Sequence, residues 1–281
     1  MKHILAVAVF TAFIFNACTK KDPETLATPT PVVNETLLTA GKVLEKVESV
    51  DTPYKMYQFL SADPKNICIS PLSLEQAFGM AYLGAGGKTK AQIEQLFGFK
   101  NDEVRSLKNE DLGDNIKFLW GNSIWSKPGK TLSPSYLENV KNKLDASHTN
   151  SIEPKKINAW VEKVTEGKIK EIIHELSLET NTVLVNAFYI NAPWEQPFKK
   201  EEMLFGPFHS NPSMSSQVTY LSRIESMKYY EDKNSIWVEL PYKGRMTMLM
   251  ALPKKKFDLR TVEDSLSAKY MQIVYDGLKH E

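Results

Sequence analysis

Residues 182–191, TVLVNAFYIN, are apolar on both faces of an extended chain, with Asn186 as the interruption in the middle. Side chains alternate across a strand, so apolar residues at odd and even positions alike require cover on both sides. The stretch predicts a central strand of a layered domain. Residues 116–125, IKFLWGNSIW, carry large side chains on both faces and predict a second central strand.

The helical patterns lie mostly before and between these strands. Asp51-Thr52-Pro53 is a helix start, with proline where its missing N–H is harmless, and the helix runs to Leu60. Residues 66–69 read as a short apolar strand. Ser70 then offers an N-cap hydroxyl and Pro71 the first helical position. Leu72, Leu74, Ala77, Phe78, Met80, Ala81 and Leu83 fall on nearly every face of the helix that follows, which predicts a helix buried all round and stopped at Gly84. Thr89 to Gln92 has the T-x-x-Q spacing of a capping box, and Ile93, Leu96 and Phe97 follow before Gly98 closes that helix. Ser133-Pro134 starts another helix. Residues 154–173 predict a further one, with Ile157, Trp160, Val161 and Val164 as its stripe and Gly167 as a bend. After Glu225 come the β-rich runs MKYYED, SIWVELPY and MTMLMALP, the last two joined by a short glycine-containing connection, and a final helical pattern over 259–278. Helices gathered early and hairpins gathered late predict an α+β fold rather than a regular βαβ winding.

The first residues carry an address. MKHILAVAVFTAFIFNACTKK has a basic start, an apolar run from Ile4 to Phe15, then small residues and Cys18, which is the layout of a bacterial secretory signal and is short for a membrane-spanning helix. FNAC resembles a lipobox, after which the cysteine becomes the acylated N-terminus, although Phe15 stands where leucine is commoner. An ordinary cleaved signal and an uncleaved anchor are the alternatives. The expected division is 1–17 signal, 18–37 polar tether and 38–281 folded domain, which places the protein on a bacterial outer membrane or cell surface, facing extracellular space or periplasm.

Several function classes drop out. The formal charge is +1, with lysines and acids interspersed, so no basic surface argues for nucleic acid. The five histidines, His3, His148, His174, His209 and His280, form no pair at helical ligand spacing, so neither a metal site nor a cofactor is expected. No nucleophile-elbow pattern appears, which leaves a hydrolase a distant third reading and no catalytic residue to name. With Cys18 lipidated, Cys68 has no intrachain partner, and its apolar setting predicts a small buried hydrophobe rather than a reactive thiol.

Four blocks, in order, resemble the serpin family. NICISPLSLEQAFGMAYLGAGGKTKAQIEQLFGF resembles the strand and helices near a serpin's start, with the pattern N-I-[FV]-x-S-P-x-S, a buried helix, L-G-A, G-x-T and x-x-Q-I. KINAWVEKVTEGKIKEII resembles the helix that crosses the main sheet, NTVLVNAFYINAPWEQPF the central strand and its turn, and WVELPYKGRMTMLMALPKK the hairpin of core strands. The resemblance implies a serpin-like fold, with helices packed on a large main sheet beside smaller sheets. It also implies one mechanism, in which a serine or cysteine protease cleaves an exposed loop, is acylated, and is trapped as the loop inserts into that sheet as a new strand.

By the same resemblance, Ser70, Ser73 and Asn186 match the family's shutter, where the sheet must part, and Trp194 matches the tryptophan at the top of the sheet, where insertion begins. Read from the residues alone, Ser70 is an N-cap, Asn186 a satisfied core amide and Trp194 a core aromatic. The stretch 99–116 is short and polar for the helix the family places there, and DASHTNSIEP is abbreviated. The sequence stops where a serpin still has its hinge, reactive loop, shutter histidine and last core strands. This chain is therefore expected to be inactive by itself, whether as a fragment, the product of a disrupted gene or a genuine short product. The runner-up function is a non-inhibitory serpin-like surface lipoprotein that acts as a binding module.

Overall fold

A computed structural model describes residues 6–7, 12–15, 51–62, 66–111, 116–244, 246–256 and 258–280. Cys18 and the expected tether lie outside the described residues. The largest sheet has six strands. In chain order they are β1 (Ala6–Val7), β2 (Ala12–Phe15), β3 (Glu110–Asp111), β4 (Lys117–Ser126), β5 (Ala146–Thr149) and β6 (Thr182–Asn191). The two strands expected to be central form its spine. β4 and β6 run antiparallel in unbroken register from Lys117↔Asn191 to Ser126↔Thr182. β5 pairs parallel to β4 and β3 antiparallel to it, while β1 and β2 lie along the other edge of β6.

The two-faced apolar pattern has a direct cause. α2 (Pro71–Gly84) and α4 (Pro134–Leu144) cover one face, where Leu184 and Ile124 pack with Ala77, Met80, Val140, Leu144 and Ala146. α5 (Pro154–Val164) and the chain after it cover the other, where Val183, Val185 and Trp125 meet Ile157, Val161 and Ile173. Gly121 lets α5 approach β4, since a Cβ there would stand 3.0 Å from the Trp160 ring and from Val164. Lys117 Nζ joins Glu166 Oε1 at 2.6 Å across the same face. The expectation for α2 holds: before Gly84 none of its residues is exposed. It is flanked by α3 (Gly87–Phe97), with Tyr82, Ile93 and Phe99 buried between them.

The remaining strands form two smaller sheets. β7 (Leu204–Asn211) and β8 (Met214–Tyr220) pair with each other. A four-stranded sheet in the order β11-β10-β9-β12 is built from β9 (Lys228–Glu231), β10 (Ser235–Pro241), β11 (Thr247–Pro253) and β12 (Lys279–His280). α6 (Leu259–Ser265) and α7 (Ala268–Gly277) bury Val262, Met271 and Val274 against Trp237 of this sheet, with Tyr54 of α1 (Thr52–Leu60) packed alongside.

Five local expectations are corrected. Residues 66–69 form no strand, and Cys68 is exposed rather than buried. α3 begins at Gly87 with Gly86 as its cap and no side-chain cap bond, so Thr89 lies inside the first turn and the capping box is not made. α5 ends at Val164 because the Thr165 hydroxyl donates back to the Val161 carbonyl, and Glu166 and Gly167 take φ of 49° and 77°, where no helix continues. The last helical pattern is two helices, because the Ser267 side chain caps α7 by accepting from Tyr270 N–H.

Candidate functional site

The polar residues under the central strands converge on one buried row. It starts at the entry to α2, where Ser70 takes extended backbone angles and its hydroxyl oxygen accepts from Ser73 N–H at 3.2 Å, with Pro71 opening the helix. Ser70 is thus the N-cap that its residue type predicts. One turn into the helix Ser73 points inward; it is 2% exposed, and its Oγ finds no hydrogen-bond partner among the described residues.

A helical turn further on, Gln76 is 1% exposed and donates Nε2–H to the Arg105 carbonyl at 2.8 Å. Its Oε1 accepts from Asn122 Nδ2 at 3.2 Å, and the same Nδ2 donates to the Leu144 carbonyl at 2.8 Å. Asn122 Oδ1 accepts from Asn186 Nδ2 at 2.9 Å, and Asn186 also donates to the Gly121 carbonyl at 3.2 Å. Asn122 and Asn186 face each other directly in the β4–β6 register. The orientation of each amide is fixed by chemistry, because Arg105, Leu144 and Gly121 each present a carbonyl that can only accept. Each amide must therefore turn its nitrogen to its carbonyl, and the row donates in one direction from Asn186 through Asn122 and Gln76 to Arg105.

The row is incomplete at its far end. Asn186 Oδ1 and Ser73 Oγ are buried with no hydrogen-bond partner among the described residues. An unsatisfied buried polar atom costs about 1–3 kcal/mol. At either atom a further donor would be stabilising. No ionisable group belongs to the row. Glu75 lies beside Gln76, and burial raises its carboxyl pKa against the opposing pull of the Arg105 guanidinium 3.4 Å away.

Trp194 lies elsewhere. Its ring stacks on Tyr242 with centroids 4.2 Å apart and meets Phe198 edge-on at 5.9 Å. Backbone bonds from Glu195 N–H to the Pro241 carbonyl and from Lys243 N–H to the Pro193 carbonyl clamp this turn to the end of β10. The strand from Asn186 to its end at Asn191 alone separates Trp194 from the row by about 17 Å. Ser70 and Ser73 thus form the start of α2, Asn186 joins the amide row, and Trp194 is the half-buried aromatic of a clamped turn.

Sequence reasoning missed Gln76 and Asn122. Both left a signal, since each is the amide in an element apolar on its other faces, but the bond between them spans 46 residues of sequence. Local pattern cannot supply such a pairing.

The family described as Serpin (serine protease inhibitor) matches residues 49–280. An uncharacterized serpin-like protein of Thermococcus kodakarensis is 29% identical over 271 residues, which cover 89% of this chain and 63% of that protein. The leukocyte elastase inhibitor of Homo sapiens is 29% identical over 251 residues, covering 80% of this chain and 66% of the inhibitor. The chain thus spans about two thirds or less of the length of these relatives. Among solved structures, thyroxine-binding globulin bound to a thyroxine–fluorescein conjugate shares the fold, with a TM-score of 0.74 at 22% identity over 83% of this chain and 75% of the globulin.

Proposed function

The chain belongs to the serpin family, and from that premise we propose that the full-length protein inhibits serine or cysteine proteases by the trapping reaction of that family. The protease supplies the chemistry: its nucleophile attacks the scissile carbonyl of an exposed loop and forms an acyl-enzyme. The inhibitor supplies a main sheet that gains stability by accepting the cleaved loop as a strand. No catalytic residue, metal or cofactor of the inhibitor enters this scheme.

The observation that supports the reading is the buried amide row that runs from Asn186 through Asn122 and Gln76 to the Arg105 carbonyl beneath the central strands. A seam closed by polar groups can part by exchanging hydrogen bonds, whereas an interlocked apolar seam must open dry. The test is incubation of the full-length protein with trypsin-like and elastase-like proteases. A covalent complex that survives boiling in detergent is expected, and turnover without such a complex refutes inhibition.

A second reading, a non-inhibitory surface binding module, is favoured by the fold likeness to thyroxine-binding globulin. The hinge before the reactive loop of the full-length protein separates the two: small residues there permit insertion, and bulky or charged ones impede it. We also propose that Cys18 is lipidated and tethers the domain to a bacterial surface through the polar stretch after it. Metabolic labelling with an alkyne fatty acid, present in the parent and lost in Cys18→Ser, tests the tether.

A further inference from the structure

Residues 98–109 run from the end of α3 to β3 and are tied to the helical layer at two places. At the first, Asp102 is pinned to three helices at once: its carboxylate meets Lys90 of α3, its carbonyl accepts from Lys143 Nζ of α4 at 2.6 Å, and its N–H donates to the Tyr82 hydroxyl of α2 at 3.2 Å. Val104 packs into the apolar clusters beside it. At the second, Arg105 serves α2 twice. Its carbonyl accepts from Gln76 Nε2, the last donor of the amide row, at 2.8 Å, and its Nε lies 3.4 Å from Glu75 Oε1. Further on, Asn109 Oδ1 accepts from the Trp120 N–H of β4, just ahead of Asn122. The stretch 105–109 therefore touches the row from the helix side and from the strand side.

Glu75 is the one charged residue of α2, and 22% of its side chain is exposed. Burial raises its carboxyl pKa above the ordinary 4.5, against the pull of Arg105. The separation of 3.4 Å exceeds the length of a well-made charge-assisted bond, about 2.7–2.9 Å, so the two groups are held by charge without a tight hydrogen bond. Arg105 is the charged group acting on this carboxyl among the described residues. Of the neighbouring cations, Lys90 and Lys143 are turned to Asp102, and Lys117 of β4 is paired with Glu166.

We infer that Glu75 and Arg105 form an acid-sensitive latch on the seam between β4 and β6. With Glu75 ionised, Arg105 is drawn onto α2 and presents its carbonyl to Gln76; with Glu75 protonated, the stretch 105–109 is released and the amide row loses its final acceptor. The sign follows from the two influences on Glu75. Burial acts on it whether or not Arg105 is in place, whereas the guanidinium favours the ionised form in the latched state alone. The released state therefore has the higher pKa, and protons favour release as pH falls through the raised value of Glu75. Against global unfolding the sign is opposite, because a carboxyl whose pKa is raised by folding stabilises the fold as it is protonated. Local release and loss of the fold are thus distinguishable. The inference goes beyond protease inhibition, since it concerns how firmly the seam is closed and is read by hydrogen exchange whether or not a protease is trapped.

Amide exchange of the full 1–281 chain is measured at about pH 7 and about pH 5, each corrected for the intrinsic rate at that pH. Trp120 reports the stretch 105–109, Asn122 and Asn186 report the seam, and Trp237 and Val238 of β10 report the fold. In the parent, the first three are expected to exchange about threefold or more faster at the lower pH, with β10 no less protected. Glu75→Gln, neutral at both pH values, is expected to show the faster exchange at both. His148, whose ring nitrogen lies 2.8 Å from the Ser126 hydroxyl of β4, is checked as another source of the effect with His148→Gln, which is expected to respond as the parent does. A parent without the pH response overturns the inference, as does a Glu75→Gln protein that keeps it or a His148→Gln protein that loses it. Should Glu75→Gln lose β10 protection, Arg105→Met is measured instead: exchange at about pH 7 as fast as that of the parent at about pH 5 supports the latch, and exchange like that of the parent at about pH 7 overturns it.

Discussion

Ser70 and Ser73 are the same residue type three positions apart, yet truncating them to alanine should move stability in opposite directions. Ser70 caps α2 by accepting from Ser73 N–H. Ser70→Ala leaves that N–H unpaired and should cost about 1 kcal/mol. The Ser73 hydroxyl is buried without a partner among the described residues, so its removal should relieve a penalty of about 1–3 kcal/mol. Alanine adds a few tenths of a kcal/mol, roughly 0.5, of helix propensity. Against this stands the loss of contacts around one oxygen atom, about 0.5 kcal/mol. The net expectation for Ser73→Ala is a gain of about 1 kcal/mol, toward the low end of the relief term. The backbone N–H of residue 73 survives the substitution, so the cap is intact and the two effects are separable. At about 2–4 °C per kcal/mol for a domain of this size, the two variants should melt roughly 4–8 °C apart, on either side of the parent. The assay is thermal unfolding followed by far-UV circular dichroism at one scan rate for all three proteins, which keeps the comparison valid even if unfolding is irreversible. A Ser73→Ala protein that melts below the parent refutes the reasoning, because its hydroxyl must then have a partner.

Asn122→Leu removes the middle of the amide row and leaves Gln76 Oε1, Asn186 Nδ2 and the Leu144 carbonyl without this partner, so a loss of about 3 kcal/mol or more is expected in urea unfolding. Asn186→Leu, which removes an unsatisfied oxygen as well as two bonds, should cost clearly less in the same assay. Asp232 accepts from Tyr270 OH, Asn234 N–H, Ser235 N–H and Ser235 OH; burial pushes its carboxyl pKa up, but these bonds together outweigh it and hold the pKa below the ordinary value of 3.8. Its contribution is therefore present above the unfolded-state pKa and is lost as pH falls through the lower folded value, so the melting temperature of the parent should decline below about pH 4 and that of Asp232→Asn should decline less. Gly277→Ala would drive a Cβ into the Tyr230 ring, and should lower the melting temperature by several degrees and shift near-UV tyrosine circular dichroism.

What could be read from the sequence was whatever a short window decides. β6 and β4 announced themselves because both faces of each are apolar, and α2 because Leu72, Leu74, Ala77, Phe78, Met80, Ala81 and Leu83 fall on nearly every face. The N-cap at Ser70 was equally local. The strand expected at 66–69 failed because an apolar run makes a strand only if a partner lies beside it, and that is a tertiary fact. The capping box at Thr89 failed for a subtler reason: Gly86 and Gly87 can start a helix three residues sooner than the side-chain signal implies. The break at Ser267 was legible in principle, since a serine inside a long helical pattern is also a cap signal. In the site, Ser73 and Asn186 came through family likeness, but Gln76 and Asn122 join them only in three dimensions. An amide in an apolar stretch announces that it must be satisfied and says nothing about by whom.

The amide row has a consequence for how this protein can vary. Gln76, Asn122 and Asn186 are each tied to a different carbonyl and to one another, so lengthening or shortening any one of them breaks contacts at two others. Single exchanges along the row fall on both neighbours, whereas a joint exchange for apolar residues of matching volume spares the amides and leaves only the three carbonyls to be satisfied. Under mutation and drift, positions 76, 122 and 186 should therefore be inherited as one trait, kept together through long divergence and, where lost, lost together.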